Sequence, residues 1–164
     1  MPEVFISYKP ECRAAAEHVT EILTKYGYDI WFDYALVKGH DFAFQIDQMI
    51  RSCKVLVVLW CQKSVGSRWV HEEVDLANEL GILLPTKIEP CELPVGNRRL
   101  DCVDLTSWDG APRSPALDDL LVEIGKRVGR VPTPDFFTAV QGRCNCLAVR
   151  QRANTVRLSL AVTS

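Results

Sequence analysis

The sequence predicts an α/β sandwich, a five-stranded parallel sheet with helices on both faces. Three observations lead there. Short apolar runs alternate with stretches of helical period along the chain from Val4 to Gly129. The most apolar run, Lys54-Val55-Leu56-Val57-Val58-Leu59-Trp60, lacks alternation, as a strand buried on both faces does. Glycines stand where the periodic stretches stop, at Gly27, Gly81 and Gly129.

Val4-Phe5-Ile6-Ser7-Tyr8 reads as a buried first strand, broken by Lys9-Pro10-Glu11. Ala15, Val19, Ile22, Leu23 and Tyr26 make the inner stripe of the first helix. Tyr28 to Asp33 is the second strand, and Tyr34 to His40 a loop longer than a tight connection needs. Asp41 caps a helix lined by Phe42, Ile46, Met49 and Ile50. The apolar third strand follows. A third helix ends at Gly81, and Ile82 to Ile88 is the fourth strand. Pro85 lacks an amide donor, which predicts an edge position or a bulge there. Cys102 to Leu105 is a short fifth strand. Ser114-Pro115 starts the last helix, with Leu117, Leu120, Leu121, Ile124 and Val128 facing inward. This order is that of a flavodoxin-like three-layer fold over residues 1–132, in which ligands bind beyond the carboxyl ends of the strands. Val131-Pro132-Thr133-Pro134 marks a boundary, and residues 133–164 read as a tail or linker without clean period.

Composition narrows the function classes. A chain of 164 residues with 48% hydrophobic and 24% charged residues matches a soluble globular protein. A net charge of −2 gives no case for nucleic acid or an anionic membrane. The charge is uneven: residues 133–164 carry four arginines and one acid, about +3, against −5 for the remainder. No apolar run is long enough to span a membrane, and Met1-Pro2-Glu3-Val4 does not resemble a signal peptide. Seven cysteines without a Cys-x-x-Cys pair point to a reduced, cytoplasmic protein without a metal site.

The stretch Ser67 to Ala77 carries the chemistry. Ser67 is in place to cap a helix, its hydroxyl accepting from first-turn amides. On the helical wheel Val70, Val74, Ala77 and Leu80 share one face, with Glu73 at its edge. Glu72, Asp75, Glu79 and His71 point outward. A carboxylate carried toward the protein body costs free energy unless something pairs with it. Two readings stay open from the residues alone: a structural ion pair with Lys9, Lys63 or Arg68, or a functional carboxylate.

Several pieces resemble the Toll/interleukin receptor (TIR) domain family. These are Phe5-Ile6-Ser7-Tyr8, Trp31-Phe32-Asp33 with Leu36 and Gly39, Ser64-x-x-Ser67-x-Trp69-Val70 with Glu73, Leu93-Pro94, and Asp104-Leu105-x-x-Trp108-x-Gly110. The pattern is closest to the bacterial, NAD-cleaving type and spans residues 3 to about 130. The resemblance implies NAD as substrate, with no further cofactor, and Glu73 as the catalytic residue. It implies substrate contacts from Ser7, Tyr8, Lys9, Asp33, Gly39 and Phe42. It also implies self-association through TIR–TIR contacts, contacts with other TIR domains, and a site completed across subunits. Pro10-Glu11 and Tyr34-Ala35 depart from the family's usual residues at the substrate loops.

The expected activity is NAD glycohydrolase or ADP-ribosyl cyclase. The alternatives are a non-enzymatic TIR interaction module, working through Val37 to His40, and a nucleoside deoxyribosyltransferase-like enzyme.

Overall fold

The computed structural model describes residues 1–32, 42–97 and 101–130. Strands β1 (Val4–Ser7), β2 (Ile30–Trp31), β3 (Val55–Trp60), β4 (Leu83–Lys87) and β5 (Val103–Asp104) form one sheet in the order β2-β1-β3-β4-β5. Every pairing is parallel. Helices α1 (Arg13–Lys25), α2 (Phe42–Ser52), α3 (Arg68–Glu79) and α4 (Pro115–Val128) cover it.

The two-residue period of the strands sorts side chains between two layers. Val4, Ile6, Tyr8, Val55, Val57 and Leu59 pack with α1 and α4. Phe5, Leu56, Val58 and Trp60 pack with α2 and α3. All six residues of β3 are buried, which explains its unbroken apolar run. Trp31 stacks on Phe5 at 4.8 Å between ring centroids, so it belongs to the core.

Pro85 corrects the expectation of an edge strand or bulge. It pairs with Val58, inside a strand flanked by β3 and β5. Along β4, Ile82 and Ile88 bond toward β3, while Lys87 accepts from Leu105 on the β5 side. Backbone groups alternate sides, so Pro85 turns its missing donor toward β5. There β5 has not yet begun: its first partner is Thr86. The proline therefore costs the sheet no hydrogen bond.

Other boundaries shift modestly. Ala16, not Ala15, lies in the buried stripe of α1. Ladder pairing in the second strand is confined to Ile30 and Trp31 among the described residues. Ser114 caps α4 as expected, its Oγ accepting from Leu117 N at 3.2 Å, and Gly129 closes that helix in the left-handed region. Past β5, the Trp108 indole donates to Ala111 O at 2.8 Å, and His18 of α1 lies against the Trp108 ring at 5.0 Å. At the opposite end of the sheet Arg130 donates to Glu3 Oε2 and Gly27 O, both at 2.6 Å, and sits over Tyr28. No helix of the described residues is long and apolar enough to cross a membrane. Residues 133–164 lie outside the described residues.

Candidate active site

The site begins with the alternation of β1. Ser7 shares its face with Phe5, toward α2 and α3, while Tyr8 faces the other layer. Ser7 sits beside Val58 in the ladder, near the carboxyl end of both strands. The helix above this face is α3. Its inward residues are Val70, Glu73, Val74 and Ala77, as the helical period requires. Glu73 is 4% exposed and Glu72 is exposed, so two adjacent acids differ entirely in environment. Ser7, fully buried, donates from Oγ to Glu73 Oε2 at 2.5 Å, across 66 positions of sequence. This short bond orients the carboxyl plane.

Lys9 pairs with Glu11 at 3.7 Å, and Arg68 with Glu72 at 2.9 Å on the solvent side of α3. Lys63 is exposed.

The loop from β3 to α3 holds the helix start in place. Ser67 occupies the cap position, but its side chain makes no cap bond. The work falls to Ser64, buried, whose Oγ accepts from Cys61 N at 2.8 Å and contacts the Leu59 and Cys61 carbonyls at 3.1 Å. His71, expected on the surface, reaches back with Nε2 to Val65 O at 2.6 Å and sets its ring against Trp60 at 5.8 Å. Leu80, expected inside, is exposed at the helix end. Trp60 is fully buried, and its indole N–H has no acceptor among the described residues. An open cleft of about 530 Å³ lies at this edge, lined by Gln62, Val65, Pro90, Cys91 and Glu92; Glu73 is not part of its lining. No group of three or more His, Cys, Asp and Glu among the described residues is placed to hold a metal ion.

A family model described as the TIR domain matches residues 4–121. The chain belongs to the TIR domain family. No curated protein matches it. Among solved structures it is similar to the TIR domain of the Toll-related receptor TRR-2 from Hydra magnipapillata, at 20% identity and a TM-score of 0.65. That match covers 76% of this chain and 98% of the other. It is also similar to the TIR domains of the activated Roq1 resistosome, which recognises the pathogen effector XopQ, at 17% identity and a TM-score of 0.59. There 76% of this chain and 99% of the other are covered. At such identities the likeness is one of fold.

Within this TIR domain, Ser7 and Glu73 come together. Tyr8 is buried on the other face of the sheet, its ring 6.4 Å from that of Phe32. Lys9 is part-exposed just past β1. Asp33 and Gly39 lie outside the described residues, as does the side chain of Phe42 at the start of α2. Sequence reasoning quoted Ser64 as a family landmark without seeing its structural role. It also missed His71, because a helical wheel registers the helix's own faces and not a loop carbonyl folded back against them.

Proposed function

We propose that this TIR domain cleaves the nicotinamide–ribose bond of NAD, with Glu73 as the catalytic carboxylate. The observation that carries the reading is a buried glutamate, oriented by Ser7, at the carboxyl edge of a parallel sheet. Nicotinamide is already a cationic pyridinium in NAD and leaves as a neutral base, so the departure needs no general acid. The ribose left behind is oxocarbenium-like, and a fixed anion in a dry site stabilises it as it forms. Water then gives ADP-ribose, or an atom of the nucleotide itself gives a cyclic product. Lys9, at the same edge, supplies a cation for the phosphates. Asp33, Gly39 and Phe42 keep their proposed substrate roles, whereas Tyr8, buried in the layer that packs with α1 and α4, does not.

TIR domains associate with one another, and the proposed site is completed by a second subunit. Nicotinamide release per subunit then rises as the protein is concentrated. Release strictly proportional to protein over a wide range counts against this. Chromatography of pure protein incubated with NAD tests the function itself: free nicotinamide is expected, and none from a concentrated, assembled sample defeats the reading. Ser7→Ala removes the bond that orients Glu73. Its kcat is expected to fall roughly tenfold to a hundredfold with little change in KM, because the lost interaction acts in the transition state.

A module that only assembles is the second reading. Phe44, a large apolar side chain 62% exposed on α2, favours a contact surface there. Such a module binds its partners undiminished after Glu73→Ala and releases no nicotinamide before it.

A further inference from the structure

We propose that His71 is a positioning residue for Glu73. Through the Val65 carbonyl and the Trp60 ring it fixes the roll of α3, and with it the place of the carboxylate. The inference rests on the reading of Glu73 as the catalytic group and adds a residue that acts on it from the far side of its own helix.

His71 Nε2 lies 2.6 Å from Val65 O. A carbonyl oxygen only accepts, so the ring carries its hydrogen on Nε2. The same ring meets that of Trp60, the last residue of β3, at 5.8 Å and 62° between planes. Side chains on a helix lean toward its N-terminus, which carries the imidazole back over the loop. Glu73 meanwhile receives the Ser7 hydroxyl. Two residues apart, His71 and Glu73 stand about 200° from each other around a helix of 3.6 residues per turn. One grip alone would let α3 roll about its axis, and two on different sides fix it. Both grips end on one sheet edge. Ser7 is the ladder neighbour of Val58, and Trp60 follows Val58 on the same face.

The loop leading into α3 needs this tie. Its bonds from Cys61 N to Ser64 Oγ at 2.8 Å, Val65 N to Cys61 O at 3.2 Å and Ser67 N to Ser64 O at 3.0 Å all run within the loop. Ser67, at the cap position, makes no side-chain cap bond. The imidazole N–H supplies a link from the body of α3 back to that loop.

The test compares three side chains at one position. His71→Phe keeps a ring beside Trp60 and loses the N–H. His71→Gln puts an amide N–H where Nε2 stood, and His71→Asn puts one where Nδ1 stood, short of Val65 O. For nicotinamide release, kcat of His71→Phe and His71→Asn is expected to fall roughly tenfold, with KM changed by less than about twofold. His71→Gln should recover most of that loss. Equal kcat in all three variants and the wild type overturns the proposal. So does a loss that His71→Gln shares with His71→Phe, or an effect on KM alone.

A second measurement needs no turnover. Ser7→Ala and His71→Phe are combined in a double-mutant cycle read by denaturant unfolding. Two grips on one helix are coupled, so the double variant's unfolding constant should differ from the product of the single effects by at least about twofold. Independent effects overturn the proposal. A wild-type protein that releases no nicotinamide defeats the reading of Glu73 as catalytic, and the cycle still decides whether His71 places its carboxylate.

Discussion

If Glu73 is the catalytic carboxylate proposed above, Glu73→Gln is expected to lower nicotinamide release by about a thousandfold while leaving the protein folded. Glutamine keeps the size of the side chain and an oxygen that accepts from Ser7, whose hydroxyl donates to Glu73 Oε2. It removes only the negative charge. A group 4% exposed has little water to screen or replace it, so the loss falls on the cationic transition state. Stability should move the other way or not at all, because burying a neutral amide costs less than burying a carboxylate. The measurement pairs nicotinamide release with a thermal melt. A variant that releases nicotinamide as fast as the wild type removes Glu73 from the chemistry. A variant that fails to fold makes it a structural acid.

The second large effect is on stability. Gly110→Ala should destabilise the domain by about 2 kcal/mol, from two separable sources. Gly110 has φ +87°, a region that side chains rarely adopt, and a Cβ there would stand 2.2 Å from His18 Cε1. His18 is held against Trp108, so its retreat gives up that ring contact. The two sources part in a double-mutant cycle. In a His18→Ala background the clash is gone, and Gly110→Ala should cost only the backbone strain, roughly 1 kcal/mol. Equal costs in both backgrounds, measured by denaturant unfolding, would show that the ring yields freely.

Much of the fold was legible because its signals are local. The three-to-four-residue period of α3 separated Glu73 from Glu72, and the unbroken run of β3 announced burial on both faces. Ser114 and Gly129 marked the ends of α4 by their chemistry. What escaped was relational. Pro85 read as an edge residue because the sequence does not say where β5 begins along β4. The period of β1 sets Ser7 and Tyr8 on opposite faces, but which face meets α3 depends on how the helices cross the sheet. The cap of α3 shows the same limit. Ser67 has the right residue type at the right place, yet Ser64 and His71 hold the loop through carbonyl groups that only the folded chain presents.

The bond between Ser7 and Glu73 has a consequence for how the chain reaches its native alignment. Its partners stand 66 positions apart and meet only after β1 and β3 have paired and α3 has docked. Until then Glu73 is a hydrated acid like its neighbours. A one-residue slip of β1 would present Ile6 or Tyr8 to the carboxylate in place of Ser7, and would turn the whole strand inside out. The misaligned chain would bury a charge against hydrocarbon or an aromatic ring. The native register of β1 is thus the one that gives this buried carboxyl group the Ser7 hydroxyl as its donor.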